Sequence, residues 1–498
     1  MMLQNDTSTL LNEAESPTLL AQASSVGSWQ LLPYSCPINP VHAALLRTGK
    51  VLFVSGSGND PDKVENPPGS AVWNVSNGTF SRPENPLNDE DNILLDLFCG
   101  GHSFLSDGRL LFAGGTQQYD PFYGLPVYFL FDPIAEQYTS YDWMPAGRWY
   151  PTLVTVGTDR VLAVSGLEEN GLLETYPSIY STATGWTYYE QPTSDLPMYS
   201  HLFLLSSGKL FFSGACFFNT GVSPRLLTLP PTNDFTTAIA ETPLVSGLQN
   251  ADYVDQAASV LLPPAQDQKV MIIGGGNGFN GQATTRVNIV DLKANIPTYK
   301  AAPPLKYARM HHNAVILPDR TVFVCNGGAV GEDMNQGTRT AEIYNPSTNT
   351  WTVAATASVT RLYHALALLL PDGRVATAGG NPDRGVEERR LEIYSPPYMS
   401  KPRPVISSAP STVPSNGTFT IGTSQATNIK WVSLIKPMAT THGLDTEQRL
   451  VNVTINSWTN TSLSVTVTTN RNIAPRGWYM LFITDQSGVP SVAKWIKL

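Results

Sequence analysis

Residues 360–380, TRLYHALALLLPDGRVATAGG, indicate the fold because they have the pattern of a β-hairpin closed by a glycine pair. Two apolar runs flank a Pro-Asp-Gly-Arg turn, as expected for two short antiparallel strands. Tyr363 and His364 stand side by side where the first of these strands begins. Their position at a strand start raises the question of what a phenol and an imidazole do there.

The same hairpin recurs along the chain at intervals of 48 to 61 residues. Its copies begin at Leu45, Phe104, Leu153, Leu202, Ser259, Ala314 and Leu366. Aromatic strands follow several copies, as in residues 341–354, AEIYNPSTNTWTVA. A period of roughly 50 residues with a glycine pair and a later Tyr or Trp is typical of kelch blades. The sequence therefore predicts an all-β fold with a seven-bladed kelch-type β-propeller over residues 28–400, closed by a strand near residues 28–34.

The composition changes at residues 395–417, where prolines cluster, and short alternating strands follow. This pattern predicts an immunoglobulin-like β-sandwich over residues 403–498. At the other end, residues 1–27 have no basic segment and no continuous apolar run, so no signal peptide is visible. We interpret them as a disordered leader.

The charge balance restricts the classes of partner. A formal net charge of −9 and only 14% charged residues argue against a nucleic-acid surface. The sequence also has no apolar run long enough to span a bilayer. We therefore expect neither a nucleic-acid nor a membrane partner.

The repeat brings four reactive side chains into register. Cys99 and His364 each lie eight residues before the aspartate of the following turn, and Tyr150 and Tyr363 lie nine before it. The innermost strands of a propeller start around one mouth, so equal offsets predict that these side chains converge there. Turn lengths leave one residue of uncertainty, and alternate residues face opposite ways. A thiol, two phenols and an imidazole can together bind a transition metal.

Other histidines have no such support. A single buried histidine is more often a hydrogen-bonded packing residue than a ligand. His102, His201, His311 and His312 are interpreted in this way.

Four segments, in this order along the chain, resemble the copper-radical oxidases, the galactose oxidase and glyoxal oxidase family. They are DLFCGGHSFLSDGRLLFAGG (96–115), GRWYPT (147–152), RLYHALALLLPDGRV (361–375) and THGLDTEQRLV (441–451). The resemblance covers nearly the whole chain. It implies that Cys99 is the cross-linked cysteine and Tyr150 its partner, that Tyr363 and His364 are axial and equatorial ligands, and that His442 completes the site.

The resemblance also implies the cofactors and the reaction. One copper ion would be held by Tyr150, Tyr363, His364 and His442. A radical would be stored on Tyr150, whose ring would be joined to the Cys99 sulfur through a thioether. Tyr363 would act as general base. Small aldehydes or primary alcohols would be oxidised by O2, which becomes H2O2. We expect a monomer. The compartment stays open, because the family is mostly secreted whereas no signal peptide is visible in this sequence.

Two features keep an alternative open: Glu168 at the place of a family tryptophan, and the absence of a visible signal peptide. The tryptophan that stacks on the cross-linked tyrosine in galactose oxidase is replaced at the expected place by Glu168, and no other tryptophan can be assigned from the sequence. The segment of the galactose-binding arginine is not recognisable, which favours small aldehydes or alcohols over galactose. The alternative is a non-catalytic propeller that binds a glycan or a protein partner.

Overall fold

The computed structural model describes residues 25–58, 60–87, 94–139, 142–245, 247–381, 385–414 and 417–498. Most of the expected leader lies outside these described residues. The described chain forms seven small antiparallel sheets in succession, followed by a six-stranded C-terminal arrangement. This is the predicted all-β propeller followed by a sandwich-type domain. Among the described residues, none of the helices has the length and apolar character needed to cross a membrane.

The first three blades follow strand β1 (Ser28–Ser35). Blade 1 contains β2 (His42–Leu45), β3 (Val51–Val54), β4 (Ser70–Asn74) and β5 (Thr79–Ser81). Blade 2 contains β6 (Gly101–Phe104), β7 (Leu110–Ala113), the side hairpin β8 (Thr116–Gln118) and β9 (Tyr123–Gly124), then β10 (Val127–Asp132), β11 (Gln137–Tyr138) and β12 (Asp142–Trp143). Blade 3 contains β13 (Thr152–Val156), β14 (Arg160–Val164), β15 (Ser178–Ser181) and β16 (Gly185–Tyr188).

The next four blades repeat the same order from the axis outward. Blade 4 contains β17 (Leu202–Leu204), β18 (Leu210–Phe212), β19 (Arg225–Thr228) and β20 (Ala240–Pro243). Blade 5 contains β21 (Ala258–Leu261), β22 (Lys269–Ile273), β23 (Val287–Asp291) and β24 (Tyr299–Ala301). Blade 6 contains β25 (Asn313–Ile316), β26 (Val322–Cys325), β27 (Thr340–Asn345) and β28 (Thr350–Thr356). Blade 7 contains β29 (Tyr363–Leu369), β30 (Val375–Asn381) and β31 (Arg390–Ser395).

The C-terminal part contains seven further strands. They are β32 (Thr418–Gly422), β33 (Ile429–Ile435), β34 (Ala439–Thr441), β35 (Leu450–Trp458), β36 (Ser462–Thr466), β37 (Trp478–Asp485) and β38 (Lys494–Lys497). Short 3-10 turns occur at Pro61–Lys63, Ala265–Asp267, Met334–Gln336, Pro397–Ser400 and Ala426–Asn428.

Strand β1 closes the ring as the sequence predicts. It pairs antiparallel with β31, with Ser28 opposite Ser395 and Trp29 opposite Tyr394, and so becomes the outer strand of blade 7. The Trp29 indole also donates to the Ala355 carbonyl of the next blade at 2.9 Å. The first strand therefore ties the start of the propeller to its end by pairing with the outer side of β31.

The burial pattern explains why these short segments form blades. The inner strands, such as β2, β3, β6 and β7, are buried along their whole length, because neighbouring blades cover both faces. Strands further from the axis alternate, as in β10, where every second residue is buried. Each blade alone would leave an apolar face in water, so the seven stabilise each other by stacking.

Strand β34 leaves the C-terminal domain and joins the propeller. It pairs antiparallel with β2 of blade 1, with Thr441 opposite His42 and Ala439 opposite Ala44. The other C-terminal strands form a separate sheet system in the order β32-β36-β35-β33-β37-β38. The loop between β34 and β35 is thereby carried into the centre of the ring.

Candidate active site

The start of the inner strand has an unusual backbone in blade after blade. Among the described residues, six positions near these starts have a positive φ: Cys99 (62°), Tyr150 (63°), Tyr199 (44°), Gln256 (54°), His311 (59°) and His364 (65°). A positive φ is uncommon for residues other than glycine, and such strain persists mostly at functional sites. We call these six residues the mouth ring.

Hydrogen bonds between blades explain this backbone. The Tyr150 N–H donates to the Cys99 carbonyl at 2.8 Å, and the Tyr199 N–H donates to the Tyr150 carbonyl at 3.0 Å. The His311 N–H donates in the same way to the Gln256 carbonyl at 3.0 Å. At these three junctions the turned peptide links a blade to the one before it.

Four of the residues singled out in the sequence form one buried cluster. The hydroxyl groups of Tyr150 and Tyr363 share a short hydrogen bond. The His442 ring centroid lies 4.9 Å from that of Tyr150, 5.2 Å from that of Tyr363 and 4.6 Å from that of His364. Side chains more than 290 positions apart therefore meet at the mouth of the ring.

Cys99 joins this cluster through Tyr150. The two side chains are hydrogen-bonded, and burial raises the pKa of the Cys99 thiol well above its ordinary value. Burial, with the neighbouring Cys99 and Tyr363, also raises the pKa of the Tyr150 phenol. A protonated thiol thus lies against a protonated phenol.

The two imidazoles are held by one nitrogen each. His364 Nδ1 lies 2.5 Å from the Asn381 side-chain oxygen, and an amide oxygen only accepts, so Nδ1 carries the proton. His442 Nδ1 lies 2.6 Å from the Thr441 hydroxyl, which donates its own hydrogen to the Val41 carbonyl. His442 Nδ1 must therefore donate as well. In both rings Nε2 is left as the nitrogen with a lone pair.

These Nε2 atoms fit a metal ion. Both are buried, and neither has a hydrogen-bond partner among the described residues. Burial lowers the pKa of His364 to about 3 and lowers that of His442 well below its usual range, so both rings are neutral, as metal ligands must be. No group of three His, Cys, Asp or Glu side chains in the described ranges is placed to hold a metal. A metal held by these two nitrogens could also take the oxygens of Tyr150 and Tyr363, and Cu(II) suits imidazole and oxygen donors.

His442 is placed by a loop that is bonded to the inside of the propeller. The Glu447 carboxylate accepts hydrogen bonds from Ser103 at 2.5 Å and from Thr155 at 2.8 Å, and it forms an ion pair with Lys436. All four of these residues are buried. Ser103 belongs to blade 2 and Thr155 to blade 3. A buried ion pair needs such extra hydrogen bonds to offset its loss of water.

Gln448 and Thr446 bond the same loop to two other places on the channel wall. The Gln448 amide accepts from the Ile316 N–H at 3.0 Å and donates to the Ala314 carbonyl at 2.8 Å. The Thr446 hydroxyl donates to the Leu153 carbonyl at 2.6 Å. The loop is thus fixed to blades 3 and 6 inside the channel.

Tyr150 has a tryptophan beside it after all. The ring centroid of Trp149 lies 3.9 Å from that of Tyr150, at an interplanar angle of 52°, and Phe122 stacks on Trp149 at 4.3 Å and 11°. Glu168, at the place expected for a tryptophan, instead accepts from the Asn170 amide at 3.1 Å. The sequence-based statement that no tryptophan can be assigned is therefore corrected. The available signal was the tryptophan directly before Tyr150 in GRWYPT.

Aromatic side chains from two loops complete the wall, and sequence reasoning missed them. Phe217 lies 4.5 Å from Tyr150 and 5.8 Å from Tyr363 between ring centroids. Phe279 lies 5.0 Å from Tyr363. Phe218, in contact with both loops, is 46% exposed and marks the outer side of this wall.

His311 also belongs to this wall. Its ring centroid lies 5.5 Å from that of Tyr363 and 5.6 Å from that of Phe279. Its interpretation as a packing residue stays a prediction, and the structure places its ring beside that of Tyr363. The register contained the signal, because His311 lies eight residues before Asp319, as Cys99 does before Asp107.

Comparisons with known proteins agree with this geometry. Residues 84–398 match the family model described as glyoxal oxidase N-terminus, and residues 403–498 match that of the galactose oxidase-like Early set domain. A galactose oxidase of Gibberella zeae is 26% identical over 98% of this chain and 73% of its own length. An aldehyde oxidase of Vitis pseudoreticulata is 26% identical over 96% of this chain and 98% of its own.

A comparison with solved structures finds the same overall fold in a copper-containing oxidase. A fungal alcohol oxidase of the AA5 family, solved in complex with copper, superposes with a TM-score of 0.79 at 23% identity. The match covers 95% of this chain and all of the other. With the glyoxal oxidase model spanning most of the chain and the Early set domain following it, the chain belongs to the glyoxal oxidase family, with a galactose oxidase-like C-terminal domain.

Proposed function

We propose that this chain is a copper-radical oxidase that oxidises small aldehydes or primary alcohols with O2. The observation that carries the proposal is the cluster in which two open imidazole nitrogens and two phenol oxygens meet beside Cys99. The curated relatives are named galactose oxidase and aldehyde oxidase, and the solved relative is an alcohol oxidase, so an oxidisable C–H bond next to oxygen is common to all.

The ligand assignment follows from the donor atoms. His364 and His442 would hold copper through Nε2, and Tyr150 and Tyr363 through their phenol oxygens. Bound copper supplies a one-electron acceptor and a Lewis acid that makes a substrate hydroxyl more acidic. All four ligands come from one chain, so the proposed active form is a monomer.

Tyr363 is the proposed general base. Its hydroxyl already shares a hydrogen with that of Tyr150, so it lies where a proton can move between phenol oxygens. A base must be within hydrogen-bond reach of the proton that it takes. The Tyr363 oxygen would accept the proton of the substrate hydroxyl.

Tyr150 is the proposed radical residue, in covalent union with Cys99. Forming the thioether joins sulfur to a ring carbon and removes the thiol hydrogen and one ring hydrogen, which O2 accepts. In turnover, the Tyr150 oxygen takes a hydrogen atom from the substrate carbon. Trp149 and Phe217 exclude water from its ring. An alcohol and O2 then give an aldehyde and H2O2, and a hydrated aldehyde gives a carboxylic acid and H2O2.

Peroxide release tests the proposal. Purified protein is loaded with copper in air and assayed with methylglyoxal, glyoxal, simple alcohols and galactose. We expect peroxide from aldehydes or simple alcohols and little from galactose. Cys99→Ser should still bind copper and lose at least about 99% of turnover, because the oxidising group is gone.

A non-catalytic propeller that binds a glycan or a protein is the alternative. It gives no reason for a thiol, two phenols and two open imidazoles to share one cluster. Full activity in Cys99→Ser would contradict the radical assignment, and absence of peroxide from copper-loaded protein would favour the alternative.

A further inference from the structure

His311 stands in the mouth ring beside the proposed ligands but differs from them. Its ring contacts Tyr363 and Phe279, and its charge would be felt at both His364 and His442. It is only 4% exposed. It therefore lies inside the site and not on the outer surface.

Neither ring nitrogen of His311 has a hydrogen bond of good geometry among the described residues; one of them approaches the Phe279 backbone, and the other has no partner. An imidazole ring carries an N–H that donates and, when it is unprotonated at the other nitrogen, a lone pair that accepts. Leaving a buried ring nitrogen without a partner is unfavourable, and a phenylalanine could fill the same space without this cost. The position thus offers a hydrogen bond that the protein itself does not use.

The ligand histidines differ from His311 in how they are held. His364 and His442 each have Nδ1 fixed by a neighbour, which orients Nε2, and such support is usual for metal ligands. His311 has no such support, and it forms no three-residue metal group with them within the described chain. A direct metal role is therefore disfavoured, and a ligand from solution is the remaining partner.

We propose that His311 recognises the second oxygen of the substrate and so selects hydrated aldehydes over simple alcohols. The inference rests on the proposed oxidase function. One hydroxyl of a hydrated aldehyde would take the reacting position next to Tyr363, and the other would bond to the His311 ring. A simple alcohol has only one oxygen, and its carbon chain would face the apolar rings of Phe217 and Phe279.

Selectivity of variants tests the proposal. His311→Phe keeps the ring packing and removes the hydrogen bonds, and His311→Gln restores a donor and an acceptor. Butyraldehyde and 1-butanol are compared as substrates. For each substrate, kcat/KM of a variant is divided by kcat/KM of wild type, so the fraction of butyraldehyde that is hydrated cancels. We expect kcat/KM of His311→Phe to fall about tenfold or more for the aldehyde, mainly through KM, and less than about threefold for the alcohol. His311→Gln should recover much of the loss.

His201→Gln is the matched control, because His201 is also buried but bonds to Ser259, away from the Tyr363 ring. Its aldehyde-to-alcohol ratio should equal that of wild type. Equal losses on both substrates in His311→Phe, or no loss on either, would overturn the proposal. Reduced copper content in His311→Phe would overturn it too, because that result makes His311 a ligand.

A binding measurement separates this inference from the proposed function. Butyrate, the acid product, is titrated into copper-loaded protein while the copper absorption is followed. We expect about tenfold weaker binding in His311→Phe than in wild type and near-normal binding in His311→Gln. If wild type releases no peroxide, the oxidase function fails, yet a His311-dependent butyrate affinity would still support recognition of a second oxygen. Equal affinities would overturn it.

Discussion

Trp149 shows how much at the residue scale depends on packing between distant loops. It lies between Tyr150 and Phe122, and these contacts give the phenol an aromatic cover that the Glu168 loop does not supply. A delocalised radical lasts longer where water and reductants are excluded. We therefore assign to Trp149 the role of protecting the Tyr150 radical.

We predict that Trp149→Leu shortens the lifetime of the radical. We expect the lifetime to fall about two- to tenfold, as for the loss of one aromatic contact. The decay of the radical's visible absorption after oxidation measures it, with copper content as a parallel reading. Trp458→Leu is the control, because Trp458 is 61% exposed in the C-terminal domain. Unchanged decay in Trp149→Leu would contradict the assignment.

Thr441 sets the orientation of His442, and this leads to a second prediction. Thr441→Val keeps the branched shape but removes the oxygen that accepts from His442 Nδ1. Copper affinity should fall about 10- to 100-fold, as for other supports of metal-binding histidines. A copper titration against a competing chelator measures it. Thr440→Val, on the opposite face of the same strand, should leave the affinity near that of wild type.

The residues that the sequence could predict are those fixed by the repeat. Cys99, Tyr150 and His364 sit at equivalent strand starts, and the same count would have found His311. Phe217 and Phe279 lie on loops after the glycine pairs, whose lengths differ from blade to blade, so no register places them. His442 comes from another domain, and only the resemblance assigned it.

At the element scale, the loop between β34 and β35 depends on the buried pair of Glu447 and Lys436. Glu447→Gln would leave the lysine without its partner. We predict a loss of about 3–5 kcal/mol in the free energy of unfolding at neutral pH, measured by urea denaturation. Copper affinity should fall as well, because the loop carries His442.

The stabilisation by the Glu447–Lys436 pair should depend on pH in one direction. Burial by itself would raise the pKa of Glu447, but the Lys436 ammonium and the hydroxyls of Ser103 and Thr155 outweigh it and lower the pKa in the folded protein below its ordinary value of 4.5. The stabilisation is therefore present above about pH 4.5 and is lost as the pH falls further. The difference between wild type and Glu447→Gln should be constant near neutral pH and should shrink in acid. A difference that grows in acid would contradict this account.

At the scale of the whole molecule, the ring is closed by its first strand. Trp29 packs against Tyr394 and Phe323 and bonds to Ala355, so it joins blade 7 to blade 6. We predict that Trp29→Ala lowers the free energy of unfolding by about 2–4 kcal/mol. Gln30→Ala, at an exposed position of the same strand, should change it by less than about 0.5 kcal/mol.

The global architecture was predictable because one signal is repeated seven times and closure follows from burying both faces of each blade. The path of β34 into the channel was not readable from periodicity, because a three-residue strand that pairs with another domain carries no pattern of its own. Function in this molecule therefore depends on a contact that only the assembled ring creates.

The most direct test of the proposed radical site is to measure by peptide mass whether a covalent bond joins Cys99 to Tyr150. Protein purified without copper is incubated with copper in air, digested, and its peptides are weighed. We expect one linked pair that contains Cys99 and Tyr150 and is lighter than the two free peptides by two hydrogen atoms. Separate, unmodified peptides from fully copper-loaded protein would contradict the radical site.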